Sequence, residues 1–212
     1  MYLEYACYNE LNEVNVQAQV FNALEHNIQG VSIPHVFLSK IAPIIPHGIT
    51  VSCPVDWPLG RSSTQIRNHT VIHAINQGAN AIDLVSNHIL YMNNIKEYIC
   101  DLVSNQGICK DRGVTLRVML EYRVMENKDL SNICKILVDT GIEYFFPSSG
   151  YRLDNWIDNA VIAHKTQHKF NLQAISNGNI FTLKHYEEIE KSDVYGMRFH
   201  HIKSVDNILA GV

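Results

Sequence analysis

The sequence predicts an α/β protein folded as a single-domain (β/α)8 TIM barrel, and three observations carry that prediction. Short apolar runs alternate with amphipathic stretches along the whole chain. Repeated strand and helix units imply a parallel sheet, and eight of them in one domain imply closure. The chain is 212 residues long and 46% hydrophobic, enough to bury one substantial core and short for two. No GxGxxG follows the first apolar run, so the alternative, a doubly wound open sheet, lacks its usual mark.

The apolar runs place strands at 3–6, 31–33, 50–53, 81–85, 115–120, 144–146, 172–175 and 196–199. Helices are expected between them. The first covers 12–24, with Val16, Val20, Phe21 and Leu24 on one face, and the second 38–44. A third spans 64–76 with Ile66, Val71, Ile72 and Ile75, followed by 95–104, 128–139, 153–164, 183–191 and 204–209. Thr64 reads as an N-cap, Gly78 and Gly141 as stops, and Thr182 precedes an apolar-periodic run containing Glu187 and Glu188. No linker, low-complexity tract or charge block interrupts residues 1–212.

Charge and cysteine usage narrow the function classes. The formal net charge is −4 and the 17 basic residues are scattered, which argues against nucleic-acid or anionic-membrane partners. Cys7, Cys53, Cys100, Cys109 and Cys134 are odd in number with no CxxC pair, so free thiols in a reducing compartment are expected. The start, Met1-Tyr2-Leu3-Glu4, has neither a basic nor an apolar leader, and no window approaches the roughly 18 apolar residues of a membrane span. A cytoplasmic location is the expectation.

In such a barrel, chemistry belongs at the C-terminal strand ends. Cys53, Asp56 and Trp57 stand at the third, and Asp83 near the fourth, followed by Ser86, Asn87 and His88. Arg117 and Glu121 belong to the fifth, Ser148 and Ser149 to the sixth, Ser176, Asn177, Gly178 and Asn179 to the seventh, and Arg198, His200 and His201 to the eighth. Asp83 has two readings: a proton-transfer carboxylate, or an ion-pair partner of Arg117 across adjacent strands. Arg117 suits bidentate capture of a phosphate or carboxylate, or a salt bridge with Glu121. Neighbouring strand residues point to opposite sides, so at most one of His200 and His201 faces the interior. A metal centre would need a set such as Cys53, Asp83, Glu121 and a histidine, and no HxH or HExxH spacing supports one, so neither metal nor cofactor is expected. Cys53 reads as a small core hydrophobe, and Trp57 and Tyr151 as pocket lining or core.

Five segments in register resemble the deoxyribose-phosphate aldolases. Trp57-Pro58-Leu59-Gly60 with Ser63-Thr64 is similar to that family's Phe-Pro-Leu-Gly turn and Ser/Thr pair, and Gly78 to Asp83 to its Gly-Ala-Asp-Glu-Ile-Asp strand. Leu116-Arg117-Val118-Met119-Leu120-Glu121 resembles Leu-Lys-Val-Ile-Leu-Glu, and Phe146-Pro147-Ser148-Ser149-Gly150 resembles Lys-Thr-Ser-Thr-Gly. Gly178-Asn179-Ile180-Phe181-Thr182 resembles Gly-Gly-Ile-Arg-Thr, and the whole covers roughly residues 28 to 205. The resemblance implies a Schiff-base lysine on the sixth strand, a second lysine on the seventh that lowers its pKa, and an assisting aspartate on the fourth. Those places hold Phe146, Ile175 and Asp83, and Arg117 replaces the lysine of the fifth. A guanidinium stays protonated at working pH and cannot replace an amine nucleophile.

These readings lead to an expected function. It is a divergent aldolase-like barrel that binds a small sugar phosphate or carbonyl compound without ordinary Schiff-base chemistry. Asp83, Arg117 and Glu121 form the expected catalytic set, and Ser148, Ser149, Gly150, Asn177, Gly178, Arg198 and His200 the substrate-binding set. The alternatives are a catalytically dead barrel serving binding, regulation or assembly, and an aldolase with a relocated lysine such as Lys203. Resemblance further implies a homodimer or higher homo-oligomer.

Overall fold

The computed structural model describes residues 1–151 and 154–210. Its strands are β1 Tyr2–Ala6, β2 Gly30–Ser32, β3 Thr50–Val55, β4 Ala81–Val85, β5 Thr115–Met119, β6 Tyr144–Phe146, β7 Gln173–Ser176 and β8 Gly196–Phe199. Each pairs in parallel with its neighbour in sequence, and β8 closes on β1. The helices are α1 Glu13–Glu25, α2 His35–Ile41, α3 Thr64–Asn76, α4 His88–Asn93, α5 Ile95–Asp111, α6 Asn127–Asp139, α7 Trp156–Phe170, α8 Leu183–Lys191 and α9 Ile202–Leu209. The barrel expected from the sequence is therefore the one found.

Several boundaries differ from expectation for local reasons. Ser63, not Thr64, is the N-cap of α3, and Thr64 is the first helical residue. Pro43 stands in a 3-10 turn, Ala42–Ile44, that ends α2. The short α4 was not foreseen; the Asn87 side chain caps it by accepting from the Leu90 amide. Helix α5 runs on to Asp111 and α7 to Phe170, while Leu153, where the α7 run was expected to begin, lies outside the described residues. Ile66 is 59% exposed, and the inward row of α3 is Arg67, Val71 and Ala74. Thr182 caps α8 as expected, accepting from the His185 amide.

Strand alternation sorts side chains to two environments. The outward row, including Val31, Ile82, Val118, Phe145 and Phe199, packs beneath the helices in one continuous core. The inward row is mostly polar at mid-height. Register sets Glu4 beside Arg198 and Asp83 beside Arg117, so opposite charges arrive as neighbours on adjacent strands. Four other inward residues, Val85, Met119, Phe146 and Ile175, form a small apolar cluster.

Candidate functional site

At mid-height the barrel is filled by two carboxylates and two guanidiniums. Arg117 donates through Nη1 to Glu4 Oε2 at 3.0 Å, through Nη2 to Glu4 Oε1 at 2.9 Å, and through Nε to Asp83 Oδ1 at 2.6 Å. Arg198 Nη2 donates to Glu4 Oε1 at 2.9 Å and Asp83 Oδ2 at 2.5 Å, while its Nη1 reaches Tyr8 Oη at 2.9 Å. Ser32 and Ser52 hydroxyls lie within 3.1 Å and 2.9 Å of Asp83 Oδ2. Glu4, Asp83 and Arg198 are fully buried and Arg117 is 3% exposed. Isolated charges here would be very costly, and the equal numbers of each sign with bidentate geometry make the arrangement tenable.

This network gives Asp83 the partners of an ion pair. Burial raises a carboxyl pKa, but Arg117 and then Arg198 outweigh it and hold Asp83 down at about 2. Such a carboxylate stays ionised and is a weak base, so its contacts are those of an ion pair. Burial works against both guanidinium charges, yet Asp83 and Glu4 raise the pKa of each. Glu121 does not join the network; it takes a left-handed conformation with φ of 51° and accepts the Ser149 amide at the rim.

The positions that the resemblance assigns to reactive lysines are apolar and beside cations. The Arg198 guanidinium lies 4.0 Å and that of Arg117 5.1 Å from the Phe146 ring centroid. Ile175 packs in the same cluster. Every lysine of the chain, Lys203 included, is exposed.

Above the network, aromatic rings span the strand ends. Tyr8 lies 5.1 Å from Trp57 and 6.0 Å from His200, and Trp57 lies edge-on to Tyr151 at 5.7 Å between centroids. Trp57 Nε1 donates to the Ser149 carbonyl at 3.0 Å. Its loop is anchored below by Asp56, which accepts from the Ser62 amide and from buried Arg67, and Arg67 also binds Asp101 and the Val85 carbonyl. Beneath the network a cavity of about 90 Å3 is lined by Tyr2, Tyr144 and Tyr195, whose rings contact one another.

The expected binding residues divide into separate groups. Ser148 donates to Asp154 at 2.6 Å, and Asn177 Nδ2 donates to the Ser148 carbonyl at 2.6 Å. Asn159 of α7 joins both residues, donating to Asp154 Oδ2 and accepting from the Asn177 amide. These groups tie the β6 and β7 ends to α7. Gly178 sits against Trp156, where an added Cβ would come within 2.8 Å of the backbone. Gly150 has φ of 75°, and an added Cβ would meet the His200 ring at 2.7 Å. Burial, then the charges of Arg198 and His201, lowers the His200 pKa to about 3, so its imidazole is neutral. Beside His200 a groove of about 500 Å3 opens between the β8 to α9 turn and the β1 to α1 connection, with Tyr5, Glu10, His201, Lys203 and Asn207 among its walls.

Glu4, Arg67 and Asn159 were not among the expected site residues. Two of them carried a signal: Glu4 is one acid within an apolar strand run, and Arg67 falls in register with Val71 and Ala74. Asn159 sits in the expected helix 153–164, but its contacts are set by tertiary packing. The five cysteines are free thiols and Cys53 is buried, as expected; among the described residues no group of three or more His, Cys, Asp or Glu is placed to hold a metal. No described helix is long and apolar enough to cross a membrane.

Fold and mouth together define a closed parallel (β/α)8 barrel. The sequence resembles the deoxyribose-phosphate aldolases among known proteins, though no protein-family profile matches it. It is 31% identical over 104 residues to that enzyme of Treponema denticola, covering 49% of this chain and 48% of the relative. With the enzyme of Metamycoplasma arthritidis it shares 24% identity over 164 residues, 76% of this chain and 75% of the relative. The chain spans about half the length of the first of these relatives. A tetrameric deoxyribose phosphate aldolase from Aeropyrum pernix superposes with a TM-score of 0.85 at 15% identity, over 99% of this chain and 88% of that one. An oxaloacetate acetylhydrolase superposes with a TM-score of 0.70 at 14% identity, over 95% and 76%. These likenesses establish the barrel fold.

Proposed function

We propose that this chain is a divergent deoxyribose-phosphate-aldolase-like barrel that binds a small sugar phosphate or hydroxylated carbonyl compound at its C-terminal rim without forming a Schiff base. One observation carries the reading: the interior that should hold reactive amines holds Phe146, Ile175 and an arginine locked to Glu4 and Asp83, while every lysine faces solvent. Schiff-base formation needs a deprotonated amine within bonding reach of the carbonyl, and a phenylalanine ring beside two guanidiniums provides none. The filled barrel also directs a ligand to the rim, where the groove beside His200 has room for a small polar molecule.

Lys203 lines that groove, so a relocated nucleophile is the second reading. Its side chain is exposed. The cytoplasm suits the five free thiols, and self-association suits a likeness to a tetrameric aldolase; light scattering measures the latter.

The test is ligand-induced stabilisation. Deoxyribose 5-phosphate, ribose 5-phosphate and glycolaldehyde phosphate are each titrated while thermal melting is followed. A ligand at 100 times its Kd stabilises by about 2.7 kcal/mol. A saturable upward shift that shrinks in Lys203→Ala supports rim binding, and no shift with any of them supports the assembly reading.

A further inference from the structure

Away from the mouth, two imidazoles meet across neighbouring helices. His35 Nε2, at the start of α2, lies 2.5 Å from His73 Nδ1, in the last turn of α3, with ring centroids 4.6 Å apart. Two ring nitrogens this close share one proton, one donating and the other accepting. His69 stands one turn before His73, and residues four apart share a helix face.

We propose that His35 and His73 form a surface site for a zinc ion, which takes the place of their shared proton. The displaced proton leaves to solvent and both nitrogens offer lone pairs. Neutral imidazole is a preferred zinc ligand. Zinc–nitrogen bonds of about 2.0–2.1 Å in tetrahedral geometry set the two nitrogens about 3.3 Å apart, so the rings need to open by less than about 1 Å. His73 is exposed and His35 half-buried, so side-chain rotation supplies that movement. The described residues hold no preassembled group of three metal-binding side chains, so the remaining positions belong to water or to a rotated His69.

The molecule contains its own control. His164 and His168 on α7 are also four residues apart, with rings 4.4 Å apart. Their nitrogens turn elsewhere: His164 Nδ1 lies 2.5 Å from the Ser192 carbonyl, and His168 Nε2 lies 3.9 Å from Asp193. The full chain, freed of metal with a chelator, is titrated with zinc and separately with magnesium by calorimetry. The expected result is saturable zinc uptake with no magnesium response. His35→Gln and His73→Gln should each weaken zinc binding by at least about tenfold, since losing even an outer-shell partner costs that much. His168→Gln should leave it unchanged. Melting without zinc verifies that each variant is folded, and zinc should raise the melting temperature of the parent more than that of His73→Gln. Absence of saturable uptake, unchanged uptake in His73→Gln, or loss in His168→Gln instead overturns the proposal.

Discussion

The two sides of the barrel interior solve the same packing problem in opposite ways. At mid-height β1, β4, β5 and β8 contribute Glu4, Asp83, Arg117 and Arg198; β6 and β7 contribute Phe146 and Ile175, which cluster with Val85 and Met119 at the ends of β4 and β5. The charged side depends on every partner being present, because each buried ion is tolerated only through its neighbours. The apolar side depends on shape and tolerates small losses of volume. They meet where the Arg198 guanidinium covers the Phe146 ring. The apolar residues and the ion network thus form one packed unit: a lysine at 146 would face two guanidiniums.

Removing one ion should therefore have the largest effect. Arg198→Met leaves Glu4 and Asp83 sharing Arg117 alone and should lower stability by about 3–5 kcal/mol in urea unfolding. Phe146→Leu loses ring volume and both cation–π contacts, for about 1–3 kcal/mol by the same assay. Ile175→Val removes one methyl group from the apolar side and should cost about 0.5–1.5 kcal/mol. If Arg198→Met proves as mild as Ile175→Val, the contrast between the two sides fails.

Acid sensitivity separates the regions further. The folded-state pKa of His200 is about 3 against an ordinary 6.5, so between those values the unfolded chain binds a proton that the folded one does not. Stability should fall as pH drops from about 6.5 toward 3. Asp83, lowered from 3.8 to about 2, contributes stability above pH 4 that disappears as pH falls through 2. Urea midpoints of the parent and His200→Asn at pH 7 and pH 5 should show a smaller acid loss in the variant. Equal losses would mean that the imidazole is not held neutral.

The barrel was legible because its outward strand faces are nearly pure hydrophobe, a pattern that survives without knowledge of contacts. The Asp83 to Arg117 pair was legible as well, since adjacent parallel strands bring those positions side by side. Glu4 and Arg198 close the network from β1 and β8, and only barrel closure joins the first strand to the last. Ser148 and Asn177 read as ligand donors from strand-end position alone; their hydrogen bonds to Asp154, just before α7, and to Asn159 of α7 depend on tertiary packing that the sequence does not display. Helix α4 escaped because its six residues are too few for a periodic signal.

The proposed absence of Schiff-base chemistry requires that no amine of this barrel reach a carbonyl substrate. The direct measurement incubates the protein with deoxyribose 5-phosphate or acetaldehyde, reduces with borohydride and weighs the intact chain. An unchanged mass is the predicted result. A reduced adduct that peptide mapping places on Lys203 or any other lysine at the rim would contradict it.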